Sequence, residues 1–128
     1  RASSSIPAVF QPVSISGRVY VDGGLVAPVP VQYARQMGAQ VVIAIDISGA
    51  PQSSTDLDTF QTLMQTFAIM GKTINALVLR DADVVVKPSL AGLSGASFNS
   101  RGLAITAGYQ ATLLSIGRLR SAIAAKTK

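Results

Sequence analysis

Apolar and polar positions along the chain change period several times, and each change marks an element. Residues 9–10 and Val13–Ile15 read as a short strand interrupted by Pro12, Ser16 and Gly17 as a turn, and residues 18–21 as the returning strand. Asp22, Gly23 and Gly24 break the alternation with a backbone free to take positive φ and to approach another group closely. Pro28 and Pro30 precede a short helical stretch over 31–37, with Gly38 placed as its C-cap. Residues 41–47 are nearly continuous apolar sequence, the mark of a parallel strand buried on both faces. Residues 48–54 form a loop. Thr55 and Asp58 give a weak capping-box signal. Leu57, Phe60, Met64, Phe67, Met70, Ile74 and Leu77 then recur at spacings of three and four, one stripe of a long amphipathic helix. Gly71 sits within it at a cost of about 1 kcal/mol relative to Ala.

A second buried strand follows at Val84–Val86, ended by Lys87 and Pro88. Residues 89–100 are a Gly/Ser-rich loop. Ile105, Tyr109, Leu113, Ile116, Leu119 and Ile123 mark a terminal helix. The predicted order is strand, strand, helix, strand, helix, strand, helix. Strands joined by helices predict an α/β fold with a mostly parallel sheet and flanking helices, and the crossover between the two apolar strands is expected to be right-handed. So few strands leave an open edge that a stable protein must cover or pair.

Composition sharpens this picture. The chain has 128 residues, enough for one compact domain, with 48% hydrophobic and 13% charged residues. Roughly 25% charged is usual, so the shortage of charge is what is expected if more protein covers part of the surface. Open edge and low charge both point to sequence missing on the N-terminal side. The chain starts at Arg1 rather than Met, as expected of a chain that begins inside a larger product or has been processed. No apolar run approaches the ~18 to 20 residues of a membrane span. Cytoplasmic, secreted and membrane-peripheral locations are all compatible with that.

The absent residue types restrict the chemistry further. There is no Cys, His, Trp or Glu. Without Cys there is no thiol nucleophile, disulfide or thiolate metal site. Without His the chain cannot complete a Ser-His-Asp triad from its own residues. The formal charge is +5, but the bases are scattered, and only Arg118, Arg120, Lys126 and Lys128 gather at the end of the terminal helix, where a solvated face is expected. No aromatic residues interleave with them, so nucleic-acid binding is not expected. Neither a cofactor nor a metal is indicated.

Four further features are weighed and set aside. Gly92-Leu93-Ser94-Gly95-Ala96 approaches a nucleophile elbow but ends in Ala96. Gly71-Lys72-Thr73 looks like the end of a P-loop, but Thr66 stands where the first glycine is required. Asp81 and Asp83 lie between a helix and a strand, where Asp is a common cap or turn residue. Asp46 falls near the end of a buried strand, where α/β sites gather, with structural hydrogen bonding its expected role.

One stretch carries a resemblance. Ala2-Ser3-Ser4-Ser5-Ile6-Pro7-Ala8-Val9-Phe10 is similar to Ala-Ser-x-x-x-Pro-x-x-Phe, and Tyr20-Val21-Asp22-Gly23-Gly24-Leu25-Val26-Ala27-Pro28-Val29-Pro30 to Asp-Gly-Gly (or Asp-Gly-Ala) followed by Asn-Pro-x-Pro. Both are patterns of the patatin-like phospholipases. Residues 38–46 and 81–88 also resemble bacterial members, so the likeness spans nearly the whole chain. It implies that residues 1–128 are the C-terminal part of a single patatin-like domain of three-layer fold. It also implies a Ser-Asp dyad acting on lipid esters. The serine of such a dyad sits in a Gly-x-Ser-x-Gly elbow, and an upstream Gly-rich segment supplies the oxyanion hole; neither is found here. The dyad aspartate maps onto Asp22, with Gly23 and Gly24 as its supporting loop. Ser3, Ser4 and Ser5 would lie near the site.

A serine hydroxyl is a poor nucleophile until something accepts its proton. A carboxylate does so from hydrogen-bond distance, and a poorly hydrated setting makes it a stronger base. The resemblance therefore makes the expected partners the protein's own N-terminal half, carrying the serine, and a lipid ester. This chain alone is expected to be inactive. The alternative is a non-catalytic binding module on the same scaffold, which Ala27 in place of the family asparagine allows.

Overall fold

A computed structural model describes residues 1–49, 58–93 and 98–126. The elements follow the expected order: strands β1 (Val13–Ile15) and β2 (Arg18–Tyr20), helix α1 (Val31–Gln36), strand β3 (Ile43–Ile45), helix α2 (Thr59–Val78), strand β4 (Val84–Val86) and helix α3 (Arg101–Lys126). The fold is α/β. β1 and β2 form an antiparallel hairpin in which Ile15 pairs with Arg18. Its two turn residues, Ser16 and Gly17, both have positive φ (51° and 77°), as a turn matching the strand twist requires. β3 and β4 are parallel, with Ile43, Ala44 and Ile45 facing Val84, Val85 and Val86.

The core is small. Val31, Val42 and Ala44 are buried together, with Val29, Ala34, Ala39, Leu79, Ala82 and Val85 packed against them. β4 is buried or nearly so throughout, but β3 differs from the expectation of two buried faces. Val42, Ala44 and Asp46 point inward, while Ile43, Ile45 and Ile47 are 45%, 57% and 66% exposed. The uninterrupted apolar run therefore has one face covered and one face open in this chain.

The helices also depart from the expected stripes. Asp58 itself caps α2, its carboxylate accepting from the Gln61 N–H at 2.6 Å. Thr55, proposed as the cap partner, and Leu57 lie outside the described residues. The packed face of α2 runs through Met64, Phe67, Gly71, Ile74, Asn75 and Val78, while Phe60, Met70 and Leu77 are exposed. Gly71 belongs to this face because the chain before α1 comes close: a Cβ there would lie 3.4 Å from Pro28 Cγ.

In α3 the correction is larger. Ile105, Tyr109, Leu113 and Ile116 are exposed. The helix turns Ala104, Ala107, Gly108, Ala111, Ser115, Leu119 and Ala122 inward instead, and it packs along β4. These positions also recur at three and four, and their small side chains let the helix axis approach the strand closely. Arg118, Arg120 and Lys126 are solvated as expected; Lys128 is outside the described residues.

One guanidinium fastens the start of the parallel sheet. Arg35 Nη1 donates to the carbonyls of Ala39 (3.3 Å) and Gln40 (2.9 Å), and Nη2 donates to the Asp81 carbonyl (3.1 Å) and to Asp83 Oδ2 (2.5 Å). Asp83 Oδ2 also accepts from the Val42 N–H at 2.8 Å. The Val42 hydrogen bond, with the Arg35 charge beside it, holds the Asp83 carboxyl below its ordinary range. The Asp83 carboxylate thus acts in structure, as its position between helix and strand suggests, while Asp81 contributes its backbone carbonyl.

Candidate functional site

Asp22 lies two residues past β2, where the hairpin gives way to a turn of 3₁₀-helix over Gly23–Leu25. Two bonds fix it. Its N–H donates to the Ser5 carbonyl at 3.0 Å, tying it to the N-terminal segment. Its Oδ1 accepts from the Gly24 N–H at 2.7 Å, capping the turn. Ser5 is buried, and its hydroxyl donates to the Arg1 carbonyl at 3.2 Å. The serine segment therefore supports Asp22 through its backbone. Asp22 Oδ2 takes no hydrogen bond from the described residues and is left to accept one from elsewhere.

Of the two freedoms expected of the glycine pair, positive φ and close approach, the structure uses only the second. Neither has positive φ; among the described residues the glycines that do are Gly17, Gly38 and Gly92. The requirement at Gly24 is for space: a Cβ there would lie 3.0 Å from Asp22 Oδ1, tight enough to push the carboxylate aside. A Cβ at Gly23 would meet only the Ser3 hydroxyl oxygen, at 3.8 Å, an ordinary contact.

Beside Asp22 is an apolar cavity of about 210 Å³. Ile6 and Pro7 from the N-terminal segment, Gly24 and Leu25 from the turn, and Met64, Phe67 and Met70 from α2 form its wall with Asp22. Asp22 is the sole polar side chain among these. No sequence signal announced the cavity, because its walls come from segments about forty residues apart.

The remaining candidates fall away from this site. Asp46 is 2% exposed at the end of β3. Its Oδ1 accepts from the Ser48 N–H at 3.1 Å, from the Ser48 hydroxyl and from Asn75 Nδ2 at 3.5 Å, and its Oδ2 pairs with Lys87 Nζ at 2.9 Å. Burial by itself pushes the Asp46 carboxyl up, but the bonds from Ser48 and Lys87 outweigh it and hold the group below its ordinary value. A carboxylate so occupied is a structural anchor, as expected. Gly71, Lys72 and Thr73 are helical, without a phosphate loop. Ser94 lies outside the described residues. Among the described residues no cluster of carboxylates could hold a metal ion, and no helix is long and apolar enough to cross a membrane.

Residues 1–35, which hold the serine segment and Asp22, match the model of the patatin-like phospholipases. The human patatin-like phospholipase domain-containing protein 6 is 33% identical over 93 residues, 71% of this chain and 6% of that protein. The chain belongs to the patatin-like phospholipase family. The rat patatin-like phospholipase domain-containing protein 7 is 33% identical over 82 residues, 62% of this chain and 6% of its own length. An uncharacterized NTE family protein of Mycobacterium bovis is 36% identical over 50 residues, 39% of this chain and 14% of its own. This patatin-like chain thus spans a small fraction of the relatives it matches.

Proposed function

We propose that this chain supplies the general base, Asp22, of a Ser-Asp dyad in a lipid acyl hydrolase, and that the nucleophilic serine comes from an N-terminal part of the same patatin-like domain. The observation that carries the proposal is the state of the Asp22 carboxylate. One oxygen is held by the Gly24 N–H, and the other takes no hydrogen bond from the described residues, on the wall of an apolar cavity.

The chemistry follows from that arrangement. The serine hydroxyl donates to Oδ2. As its oxygen attacks the ester carbonyl carbon, its proton passes to Asp22, and the C–O bond to the alcohol breaks when Asp22 returns that proton to the leaving oxygen. Water then attacks the acyl-serine, Asp22 takes the water proton, and the serine oxygen regains it as the acid leaves. The apolar wall offers the carboxylate no competing hydrogen-bond donor. With no histidine in this chain, a carboxylate acting alone as base is consistent with its composition.

The test is hydrolysis of short-chain nitrophenyl esters by this chain alone and by the protein with its upstream part. The isolated chain is expected to show no turnover and the longer protein to be active. Turnover by the isolated chain would overturn the division of the site. Equal activity of intact wild type and Asp22→Asn would favour the non-catalytic module instead.

A further inference from the structure

We propose that Ser5 is a positioning residue for the base: its buried hydroxyl closes the N-terminal turn whose carbonyl holds the Asp22 backbone in place. This rests on Asp22 being the base of the proposed site.

The need for such an anchor comes from the bonds around Asp22. The bond from the Gly24 N–H to Asp22 Oδ1 lies inside the turn. So do the bonds from the Leu25 N–H to the Asp22 carbonyl (3.4 Å) and from the Val26 and Ala27 N–H groups to the Gly23 carbonyl (3.2 and 2.9 Å). Bonds of this kind set the direction of the carboxylate and the shape of the turn, but they leave the turn free to shift as a unit. Among the described residues, the hydrogen bond that ties it to another segment runs from the Asp22 N–H to the Ser5 carbonyl, at 3.0 Å.

Ser5 is held so that this carbonyl stays still. It is 4% exposed, and each of its polar groups is committed. Its N–H donates to the Ala2 carbonyl at 3.1 Å and its hydroxyl to the Arg1 carbonyl at 3.2 Å, while its own carbonyl accepts from Asp22. The Arg1 carbonyl also accepts from the Ser4 N–H at 3.1 Å. Ser5 therefore closes the turn of 3₁₀-helix over Ala2–Ser4 with two bonds rather than one. Burying a hydroxyl costs its hydration, and alanine would fill the same place without that cost. What the hydroxyl adds is the second bond, which restrains the peptide carrying the Ser5 carbonyl.

The chain beyond Ser5 is restrained as well. Pro7 fixes its own φ and disfavours helical backbone at Ile6. The Ile6 carbonyl accepts from the Val9 and Phe10 N–H groups at 3.1 and 2.9 Å. Ala8 completes that turn at φ 65°, a left-handed conformation that a residue with a Cβ keeps only when its surroundings hold it there. The Ser5 carbonyl thus lies between a closed turn on one side and a proline turn on the other. The N-terminal segment acts as a splint for the base, and the Ser5 hydroxyl supplies its side-chain hydrogen bond.

The experiment is a double-substitution cycle in the intact protein, read as kcat on a short-chain nitrophenyl ester. A misplacement of about 1 Å can cost about a hundredfold in rate, so loosening this anchor with Ser5→Ala should lower kcat by about tenfold. Ser5→Thr keeps the hydroxyl and should restore most of the loss. In an Asp22→Asn background Ser5→Ala should leave the residual kcat unchanged, because a residue that acts through another has nothing left to position. Ser14→Ala, which removes an exposed hydroxyl on β1, should leave kcat unchanged. Full kcat in Ser5→Ala would overturn the proposal. So would the same fractional loss with and without the Asp22 carboxylate, because the hydroxyl would then act through the fold at large.

A second measurement reads the anchor without catalysis. Hydrogen exchange of the Asp22 N–H, followed by NMR in the intact protein, should speed up by about tenfold in Ser5→Ala and stay slow in Ser5→Thr. If Asp22→Asn keeps its esterase activity while exchange at position 22 responds to Ser5→Ala, the reading of the base fails and the anchor stands. If Asp22→Asn is inactive and neither kcat nor exchange responds to Ser5→Ala, the positioning role fails alone.

Discussion

Gly71 offers a test of the packing in which two opposing effects have to be weighed. It lies inside α2, where glycine costs about 0.8 to 1.0 kcal/mol relative to alanine. A glycine kept there for lack of space should resist substitution. The space is nevertheless sufficient for one methyl: a Cβ would sit 3.4 Å from Pro28 Cγ and 4.0 Å from Pro28 Cβ, both within ordinary contact. Each such contact gains about 0.1 to 0.2 kcal/mol. The helix gain therefore wins, and Gly71→Ala should stabilise the protein by about 0.5 to 1 kcal/mol. With a urea dependence of about 1 to 3 kcal/mol per molar, the midpoint should rise by roughly 0.2 to 1 M. Gly71→Leu should do the opposite. Its side chain continues past the Cβ into the proline ring, and overpacking of that kind costs about 1 to 3 kcal/mol, more than the helix gain. Urea denaturation followed by far-UV circular dichroism decides both. A lower midpoint for Gly71→Ala would refute the reasoning, because it would mean that α2 and the Pro28 loop have no room for a methyl.

Other expectations concern the site and the staples. Gly24→Ala should cut esterase activity of the intact protein by about tenfold or more, as a small misplacement of a reacting group does, while Gly23→Ala should keep most of it; equal losses would contradict the close approach to Asp22 Oδ1. Asp83→Ala should lower the urea midpoint, because the Val42 N–H loses its acceptor, and Asp83→Asn should lower it less because it keeps an acceptor. The carboxyls of Asp46 and Asp83 are both held below their ordinary range. Their contribution is therefore fully present above the unfolded carboxylate pKa of about 4 and is lost as pH falls through the lower folded values. Stability measured against pH should fall on that acid side, and Asp46→Asn should flatten the fall. An unchanged acid limb would exclude Asp46 from it.

How far the sequence reached depends on whether the deciding contact was local. Element order was legible because each element carried its own period, and the hairpin turn because Ser16 and Gly17 lie between two short apolar runs. Asp46 and Asp83 were legible as structural groups from their positions at element ends. The packed face of α3 was not. Its bulky residues and its small residues both recur at helical spacing, and the bulky ones suggest the core, but it is Ala107, Ala111 and Ser115 that pack. Arg35 passed unnoticed because its partner Asp83 is 48 residues away. The double burial expected of β3 failed because an apolar run shows that two faces are suited to burial, without showing what this chain can place on each. Asp22 was singled out as a candidate through its motif, whereas the cavity beside it needed α2 to meet the N-terminal segment, a tertiary contact with no local signature.

The intact protein carrying Asp22→Asn tests the role of Asp22 most directly. Asparagine keeps an acceptor for the Gly24 N–H and nearly the same shape, so the turn and the stability should survive. It cannot take the serine proton. Steady-state hydrolysis of octanoyl nitrophenyl ester should fall by about 10²- to 10⁴-fold in kcat, with the urea midpoint unchanged. A folded Asp22→Asn protein with kcat within a factor of about three of wild type, far short of the loss expected for a missing base, would contradict the assignment of Asp22 as the base.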